Sequence, residues 1–444
     1  MSARYYLLPI GMFVISLRSS AAVPVPAPEQ QQPVLLIGAV IHPVTAPEIE
    51  NGDILFDRGK IIAMGKQTGV PSDAMVLDIH GKHVYPALIE SNATLGLTEI
   101  GAVRATQDHE ELGDINPNVQ VQSAFNPESE LIPVARASGV AMALIRPTGS
   151  LLAGRSALML LDGWTWEQMT CQAPAGMILQ WPDMQINPES PEEKSPEGQK
   201  KQFGRQLDLL DNTILQARSY LTARSHSPDH IHHKYDARLE ALGPVLTGDM
   251  RIWIEANTVQ EIEAAMAWSL KHGLKMGLIS GQQAYRLPDL VKNCGIPVIV
   301  TPVYKMPGRR DATFDESFNL PARLYEAGIQ FCIAAGGASN VRTLPHQAAK
   351  AAAYGLPADI ALKAVTLYPA EIFGVADRAG SLAPGKDATL MVTDGDPLEI
   401  TTRVEKLFIL GRNINLDNKH EQLYRKYKKR YENQAQTEES YPPR

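Results

Sequence analysis

Four histidines within eight residues form the first group in the sequence that could bind a metal. His226, His230, His232 and His233 lie in the stretch RSHSPDHIHHKYDARLEAL, and a short His-rich tract of this kind can hold a transition metal. The competing interpretation, which we favour, is a polar loop that leads into a helix. The tract alone therefore does not predict a metal site.

The three cysteines do not form a second such group. Cys171, Cys294 and Cys332 are far apart and odd in number, so at most one pair could form a disulfide. We interpret Cys294 and Cys332 as core residues beside buried strands. No GxSxG turn and no Cys–His pair indicates a nucleophile.

Composition and charge limit the classes of protein that fit. The 444 residues are 44% hydrophobic and 20% charged, with a net charge of -7, which is typical of a globular protein with a large core. No basic stripe with interleaved aromatic residues precedes the last thirty residues, so no nucleic-acid partner is predicted.

The N-terminus has the pattern of an export signal. Arg4 precedes an apolar run from Tyr5 to Leu17, and small residues follow up to Ala22. The run is too short to span a bilayer, so we expect a signal peptide over residues 1–22 and no stable membrane anchor. The mature protein would then be periplasmic or secreted.

Two β-rich segments flank the rest of the chain. After a Pro-rich linker at 23–32, residues 33–83 alternate short apolar runs with Gly, Asn and Asp turns, and residues 379–416 repeat this pattern. We predict that the two segments pair into one small β-sandwich domain.

Between them, residues 84–378 alternate buried strands with amphipathic helices. Strand-like runs at 139–147, 251–257, 273–280, 295–303 and 328–337 are separated by helical patterns at 259–273, 284–295 and 317–328. This order predicts a parallel sheet, and the span fits a closed TIM-like (β/α)8 barrel, with an open doubly wound sheet as the alternative.

Two segments depart from this alternation. Residues 148–235 are interpreted as irregular, with a solvated Pro- and charge-rich loop before a helix at about 203–224. The tail at 417–444 is predicted to be a charged amphipathic helix that fades into disorder. Its basic run RKYKKR could touch acidic surfaces, although a solvated helix face is the simpler interpretation.

The order of these segments resembles the amidohydrolase superfamily, in its imidazolonepropionase-like branch. The resemblance is carried by DRGKIIAMG near the start, GKHVYPALIE at the opening of the barrel, and ALKAVTLYPAEIFGVADRAGSLAPGKDATLMVTDGDPL at its close. It implies a barrel whose mouth holds one or two divalent metals that activate water against a C–N bond.

The resemblance also implies a set of metal ligands, and this chain departs from it. The family has His-x-His after the first strand, a His after the fifth, a His after the sixth and an Asp after the eighth. The matching residues here are Asn92, Thr94, Glu255, Ser280, and Gly336 or Gly337.

The eighth-strand position gives the strongest negative observation. No Asp or Glu occurs between Ala327 and Ala358, so the absence does not depend on a precise alignment. The Gly-rich AAGGASN could instead present backbone amides to an anion. We predict no metal and no other cofactor, and we expect Asn92, Thr94, Glu255 and Ser280 to meet in one cavity.

Two functions remain open. In the first, Glu255 is a metal-free general base for C–N hydrolysis of a dipeptide or cyclic amide, and Arg104 or Arg342 orients a substrate carboxylate. In the second, which we favour, the barrel is non-catalytic and binds a small ligand or pairs with a catalytic relative. Self-association is possible in either case, and ordinary metal-dependent hydrolysis is the least favoured.

Overall fold

Strands from the N-terminal part begin the fold, in both antiparallel and parallel pairs. The computed structural model describes residues 25–186, 195–226, 234–308 and 312–439. The predicted signal peptide and His230, His232 and His233 lie outside these residues. The first strands are β1 (Val34–Ile41), β2 (Ile49–Asp57), β3 (Lys60–Gly65), β4 (Met75–Asp78) and β5 (His83–Pro86).

Eight further strands form the second sheet, which curls into a nearly closed barrel. Their order in the sheet follows the chain. They are β6 (Leu88–Ala93), β7 (Val140–Ile145), β8 (Leu152–Leu160), β9 (Thr170–Gln180), β10 (Ile252–Ala256), β11 (Met276–Ser280), β12 (Val298–Val300) and β13 (Phe331–Ile333). The predicted barrel is confirmed, because five of these strands fall within the five predicted runs.

One barrel strand runs against the others. β8 pairs antiparallel with both β7 and β9, whereas the pairs from β9 to β13 are parallel. The interpretation of 148–235 as irregular is therefore wrong for β8 and β9. Gly154 and Arg155 interrupt the apolar run of β8. The only helix between β7 and β9 is the four-residue Trp166–Met169, which is too short for a helical pattern that would mark them as barrel strands.

Helices cover the barrel on the outside. Three of them match predicted helices, and α3 covers the predicted 203–224. The helices are α1 (Leu131–Arg136), α2 (Trp166–Met169), α3 (Pro196–Ser225), α4 (Ala237–Ala241), α5 (Gly243–Leu246), α6 (Val259–Lys271), α7 (Pro288–Asn293), α8 (Glu316–Glu326), α9 (Leu344–Ala353), α10 (Ala358–Lys363), α11 (Leu367–Ile372) and α12 (Lys419–Glu439). No helix among the described residues is long and apolar enough to cross a membrane.

The C-terminal part completes the first sheet. β14 (Leu390–Thr393), β15 (Val404–Ile409) and β16 (Arg412–Asn413) extend the sheet at β5, where β14 pairs antiparallel with β5. The two ends of the chain thus build one sheet separate from the barrel, as predicted. Its own apolar core includes Phe56 and Phe408, whose ring centroids are 5.0 Å apart.

A buried charge cluster joins this sheet to the barrel. Asp162, which follows β8, accepts a hydrogen bond from Arg136 of α1 at 2.7 Å and lies 3.0 Å from Nη1 of Arg412 in β16. The carboxylate is almost fully enclosed. Because a buried carboxylate needs paired cations, these contacts fix where the two sheets meet.

The cysteines are all unpaired. Cys332 is buried, as predicted, but Cys294 is exposed after α7. Its interpretation as a core residue is wrong, because a helix C-terminus places it ahead of the buried strand rather than within it.

Candidate functional site

Glu90 closes the barrel between its first and last strands. It lies in the middle of β6 and has no solvent exposure. One carboxylate oxygen accepts the backbone N–H of Asn92 at 2.9 Å, and the other accepts that of Ala335, beyond β13, at 2.9 Å. A further bond from the N–H of Thr94 to the carbonyl of Gly337, at 3.1 Å, continues this closure.

The environment of Glu90 makes it the most perturbed carboxyl of the site. Burial raises its pKa to about 7, although the backbone N–H donors of Ala335 and Asn92 act in the opposite direction. The Cys332 thiol lies in the same buried region, where burial raises its pKa to about 12. Buried ionisable groups are costly, so Glu90 marks a site under functional or structural constraint.

Arg146 occupies the centre of the barrel mouth. It follows β7 directly, and its Nε donates a hydrogen bond to Oδ1 of Asn92 while its Nη2 donates to Oε2 of Glu255 at 3.2 Å. Its side chain is only 13% exposed and that of Glu255 is 32% exposed. The ion pair is therefore shielded on the Arg146 side and open to solvent on the Glu255 side.

A second set of contacts extends this network across the mouth. Nδ2 of Asn92 donates to the hydroxyl of Thr301 at 3.0 Å, and the hydroxyl of Ser280 donates to the Thr301 carbonyl at 3.3 Å. Asn92, Glu255 and Ser280 are thus linked through Arg146 and Thr301. Thr94 joins only through its backbone.

The backbone is strained at this place. Ser280 ends β11 with a φ of 70°, a left-handed conformation that costs a side chain-bearing residue energy and often occurs at functional sites. Gly336 also has positive φ, and a Cβ there would lie 2.9 Å from the Thr301 hydroxyl. An Asp at position 336 would require Thr301 to move.

Apart from Gly337, whose carbonyl accepts the N–H of Thr94, the remaining candidates lie away from this network. Arg342 is exposed on the short 3-10 helix Val341–Thr343. Arg104 donates to the carbonyl of nearby Gln107 at 2.6 Å in an exposed turn. Gly337 is exposed next to Gly336. His226 lies 2.8 Å from the Thr222 carbonyl at the end of α3.

Sequence reasoning missed Glu90, Arg146 and Thr301. A signal was present for Arg146, because it follows the fully buried run VAMALI, and a charge at the C-terminal end of a barrel strand points into the mouth. Glu90 had a similar signal as a lone carboxyl inside the buried β6. Thr301 had none.

The donor set does not fit a divalent metal. Among the described residues, no group of three or more His, Cys, Asp or Glu side chains is placed to hold a metal ion. At the mouth, Asn92, Thr94 and Ser280 are poor zinc ligands, and the single accessible carboxylate, Glu255, is already paired with Arg146. The guanidinium of Arg146 thus contacts two of the residues at positions where the resemblance implies metal ligands.

Cavities open elsewhere on the molecule. One of about 310 Å³ lies beside α6 and α7, and one of about 750 Å³ lies beside the start of α12 and the loop before β15. Neither is lined by residues of the mouth network.

Comparison with known proteins agrees with this architecture. Residues 226–418 match the model of the Amidohydrolase family. The chain is 22% identical over 393 residues to Amidohydrolase tasK of Hapsidospora irregularis, a match that covers 81% of this chain but only 39% of that protein's length. These similarities support a relationship of the chain to the amidohydrolase superfamily.

Solved structures share the fold. The crystal structure of an amidohydrolase from Thermotoga maritima MSB8 matches with a TM-score of 0.76 at 24% identity, covering 86% of this chain and 99% of that chain. Molinate hydrolase matches with a TM-score of 0.54 at 14% identity, covering 87% of this chain and 95% of that chain. At these identities the likeness concerns the fold alone.

Proposed function

We propose that this chain is a metal-independent, non-catalytic member of the amidohydrolase superfamily, of its imidazolonepropionase-like branch, that binds a small anionic ligand at the barrel mouth. The observation that carries the proposal is the position of Arg146. Its guanidinium is held by Asn92 and Glu255, which stand where the resemblance implies metal ligands.

Electrostatics supports exclusion of the metal. The guanidinium stays protonated at any physiological pH, so a divalent cation at the same place would meet a like charge in a poorly solvated site. Glu255 would have to leave Arg146 to bind the ion. Removing one partner of a shielded ion pair costs several kcal/mol, and the neutral oxygens of Asn92 and Ser280 offer little compensation.

The carboxyls also support a non-catalytic role. A general base needs to come within hydrogen-bond reach of the substrate proton. Glu90 is fully enclosed, with both oxygens bound to backbone N–H groups. Glu255 is accessible, but one of its oxygens is committed to Arg146. Metal-free hydrolysis by Glu255 is the competing outcome of the tests below.

Arg146 also provides the anchor for a ligand. Among the described residues, its Nη1 has no hydrogen-bond partner, whereas Nε and Nη2 are both engaged. A carboxylate is the group that a guanidinium binds best. Ligands with a carboxylate are therefore expected to bind over the mouth beside Glu255.

Metal content tests the first half of the proposal. Purified full-length protein should contain substoichiometric zinc, and added zinc should not raise its melting temperature, since a ligand at 100 times its dissociation constant would stabilise by about 2.7 kcal/mol. The variant H230A/H232A/H233A controls for zinc held by the His-rich tract. The proposal would be contradicted if the protein bound one zinc ion per chain, kept it in H230A/H232A/H233A and lost it in Glu255→Gln.

Ligand binding tests the second half. Thermal shift and calorimetry with N-acyl amino acids, dipeptides and their neutral amides should show binding of carboxylates only. Arg146→Gln should weaken binding by about 10- to 100-fold, the worth of one charged hydrogen bond, while Arg104→Gln should not. Arg146→Lys keeps the charge without the planar fork and should be intermediate.

The same compounds and variants test whether the protein catalyses hydrolysis without a metal. Turnover of a dipeptide or cyclic amide in the presence of a chelator, abolished by Glu255→Gln, would establish the enzyme instead. Equal carboxylate binding by wild type and Arg146→Gln would remove the anchor from the proposal.

Export and pairing with a catalytic relative are further parts of the proposal. Export rests on residues 1–22 alone, and N-terminal sequencing of the mature protein tests it. Co-purification with a histidine-complete relative tests the pairing.

A further inference from the structure

The C-terminal helix α12 leaves the body of the protein almost without support. All residues from Leu423 to Gln434 are exposed, and Asn418 caps the start of the helix by accepting bonds from the N–H groups of His420 and Glu421. In proteins most of the stability of a helix comes from packing one of its faces against another surface rather than from the helix alone. A partner surface for α12 is therefore expected.

The residues of α12 separate into an aromatic stripe and a basic face. Tyr424, Tyr427 and Tyr431 follow each other at spacings of three and four residues, which places them on one side of the helix. All three are exposed. The basic residues of the first three turns occupy the remaining circumference; they are Lys419, Arg425, Lys426, Lys428, Lys429 and Arg430.

The charge of this helix is opposite to that of the whole chain. Residues 419–430 contain these six Lys or Arg residues and one Glu, Glu421, whereas the full chain has a net charge of -7. Arg425 pairs with Asp417 at 2.7 Å and Lys428 lies 4.0 Å from Glu432. Among the described residues, Lys426, Lys429 and Arg430 have no acidic partner.

We propose that α12 docks reversibly on an anionic membrane surface, with its tyrosines at the level of the lipid headgroups and its basic residues toward anionic lipids. Tyrosine is favoured at membrane interfaces, and an amphipathic helix with a cationic polar face lies in the plane of such a surface. Parallel pairing of α12 with α12 of a second copy is disfavoured, because the basic residues at 419–430 of the two helices would repel each other.

Vesicle binding by the full-length protein tests this proposal. The protein should co-sediment with vesicles that contain phosphatidylglycerol and phosphatidylcholine, but not with phosphatidylcholine alone, and binding should weaken as salt is raised. Each basic residue near such a surface contributes about fivefold. K426Q/K429Q/R430Q should therefore reduce the partition coefficient by about 100-fold.

A charge-matched variant provides the control. K200Q/K201Q/R205Q changes the net charge by the same amount on the exposed surface of α3 and should leave vesicle binding unchanged. Y424Q/Y427Q/Y431Q should weaken binding while its salt dependence is kept. Circular dichroism of each variant checks that the protein remains folded.

Several outcomes would overturn the proposal. These are equal binding to neutral and anionic vesicles, no binding to either, or an equal loss in the α3 variant. A change of oligomeric state on mutation of α12 without an effect on vesicles would assign the helix to a protein contact instead, and retention of RNA without vesicle binding would assign it to nucleic acid.

Discussion

Glu90 connects the chemistry of the mouth to the closure of the barrel. Its two oxygens hold the N–H groups of Asn92 and Ala335, and Asn92 in turn holds Arg146. The protonation state of one buried carboxyl therefore acts on both the last strand and the central cation. Because Glu90 is held by contacts on both of its oxygens, we expect its replacement to change the positions of Asn92 and Arg146 at the barrel mouth.

The pH dependence of stability tests the state of Glu90. Its pKa in the folded protein is about 7, above the ordinary value of about 4.3 in an unfolded chain. Between these values the folded state binds more protons than the unfolded state, so the free energy of unfolding falls as pH rises. We expect Glu90 alone to remove about 3 kcal/mol between pH 4 and pH 8.

The variant Glu90→Gln removes this titration. Urea unfolding should show that the stability of wild type minus that of Glu90→Gln decreases as pH rises. Glu326→Gln, on the exposed end of α8, is the matched control for the loss of one carboxyl. A difference for Glu90→Gln that does not change with pH would show that the Glu90 carboxyl is not perturbed.

At this scale, part of the site could be predicted from the sequence. The resemblance led to Asn92, Glu255 and Ser280, which the structure links in one network. It did not lead to Arg146, because in the resemblance a metal rather than a side chain supplies the positive charge. Thr301 could not be found at all, since only the three-dimensional approach of the ends of β6 and β12 brings it to Asn92.

At the scale of elements, the buried cluster around Asp162 holds the two sheets together. The carboxylate contacts Arg136 from the barrel side and Arg412 from the sheet built by both chain ends. It also accepts the backbone N–H of Ala27 at 3.3 Å. Three separate segments of the chain thus depend on one side chain.

Replacement of Asp162 tests the importance of this junction. Asp162→Ala would leave Arg136 and Arg412 without their partner, and unpairing a buried charge costs about 3–5 kcal/mol. Chemical unfolding should show a loss of this size. Asp78→Ala, which removes an exposed ion pair with His80, should leave the free energy of unfolding nearly unchanged.

Where the hydrophobic periodicity of the sequence was regular, the helices and strands were easier to predict than the residues of the site. α6 begins at a capping box of Thr258 and Glu261, and its helical pattern was found to within two residues. β8 and β9 were missed, because the only helix between them is the four-residue α2, which is too short to give a helical pattern in the sequence. The direction of a strand depends on its neighbours in the sheet and not on its own sequence.

At the scale of the whole molecule, the C-terminal strands that precede α12 join the sheet formed by the N-terminal strands. β15 and β16 complete a sheet that starts with β1, so the barrel between them is held at both ends. Leu407, Phe408, Ile409 and Ile414 are almost fully buried in this last part. By contrast, the exposed residues of α12 contribute little to the cores.

Two truncations separate these contributions. A chain ending at Asn418 should remain soluble and melt within about 2 °C of wild type, because surface changes alter stability by less than about 0.5 kcal/mol. A chain ending at Arg403 loses the four buried side chains, worth about 6–12 kcal/mol at 1.5–3 each, and the contact of Arg412 with Asp162. This loss equals most of the stability of a typical protein, so the shorter chain should aggregate or unfold.

Both chains are judged by soluble yield, circular dichroism and thermal melting. Because the chain ending at Asn418 lacks α12 but keeps both sheets, it should retain carboxylate binding at Arg146 and lose vesicle binding. Loss of both activities together, in a chain that melts like wild type, would mean that α12 acts through the barrel mouth rather than as a separate surface.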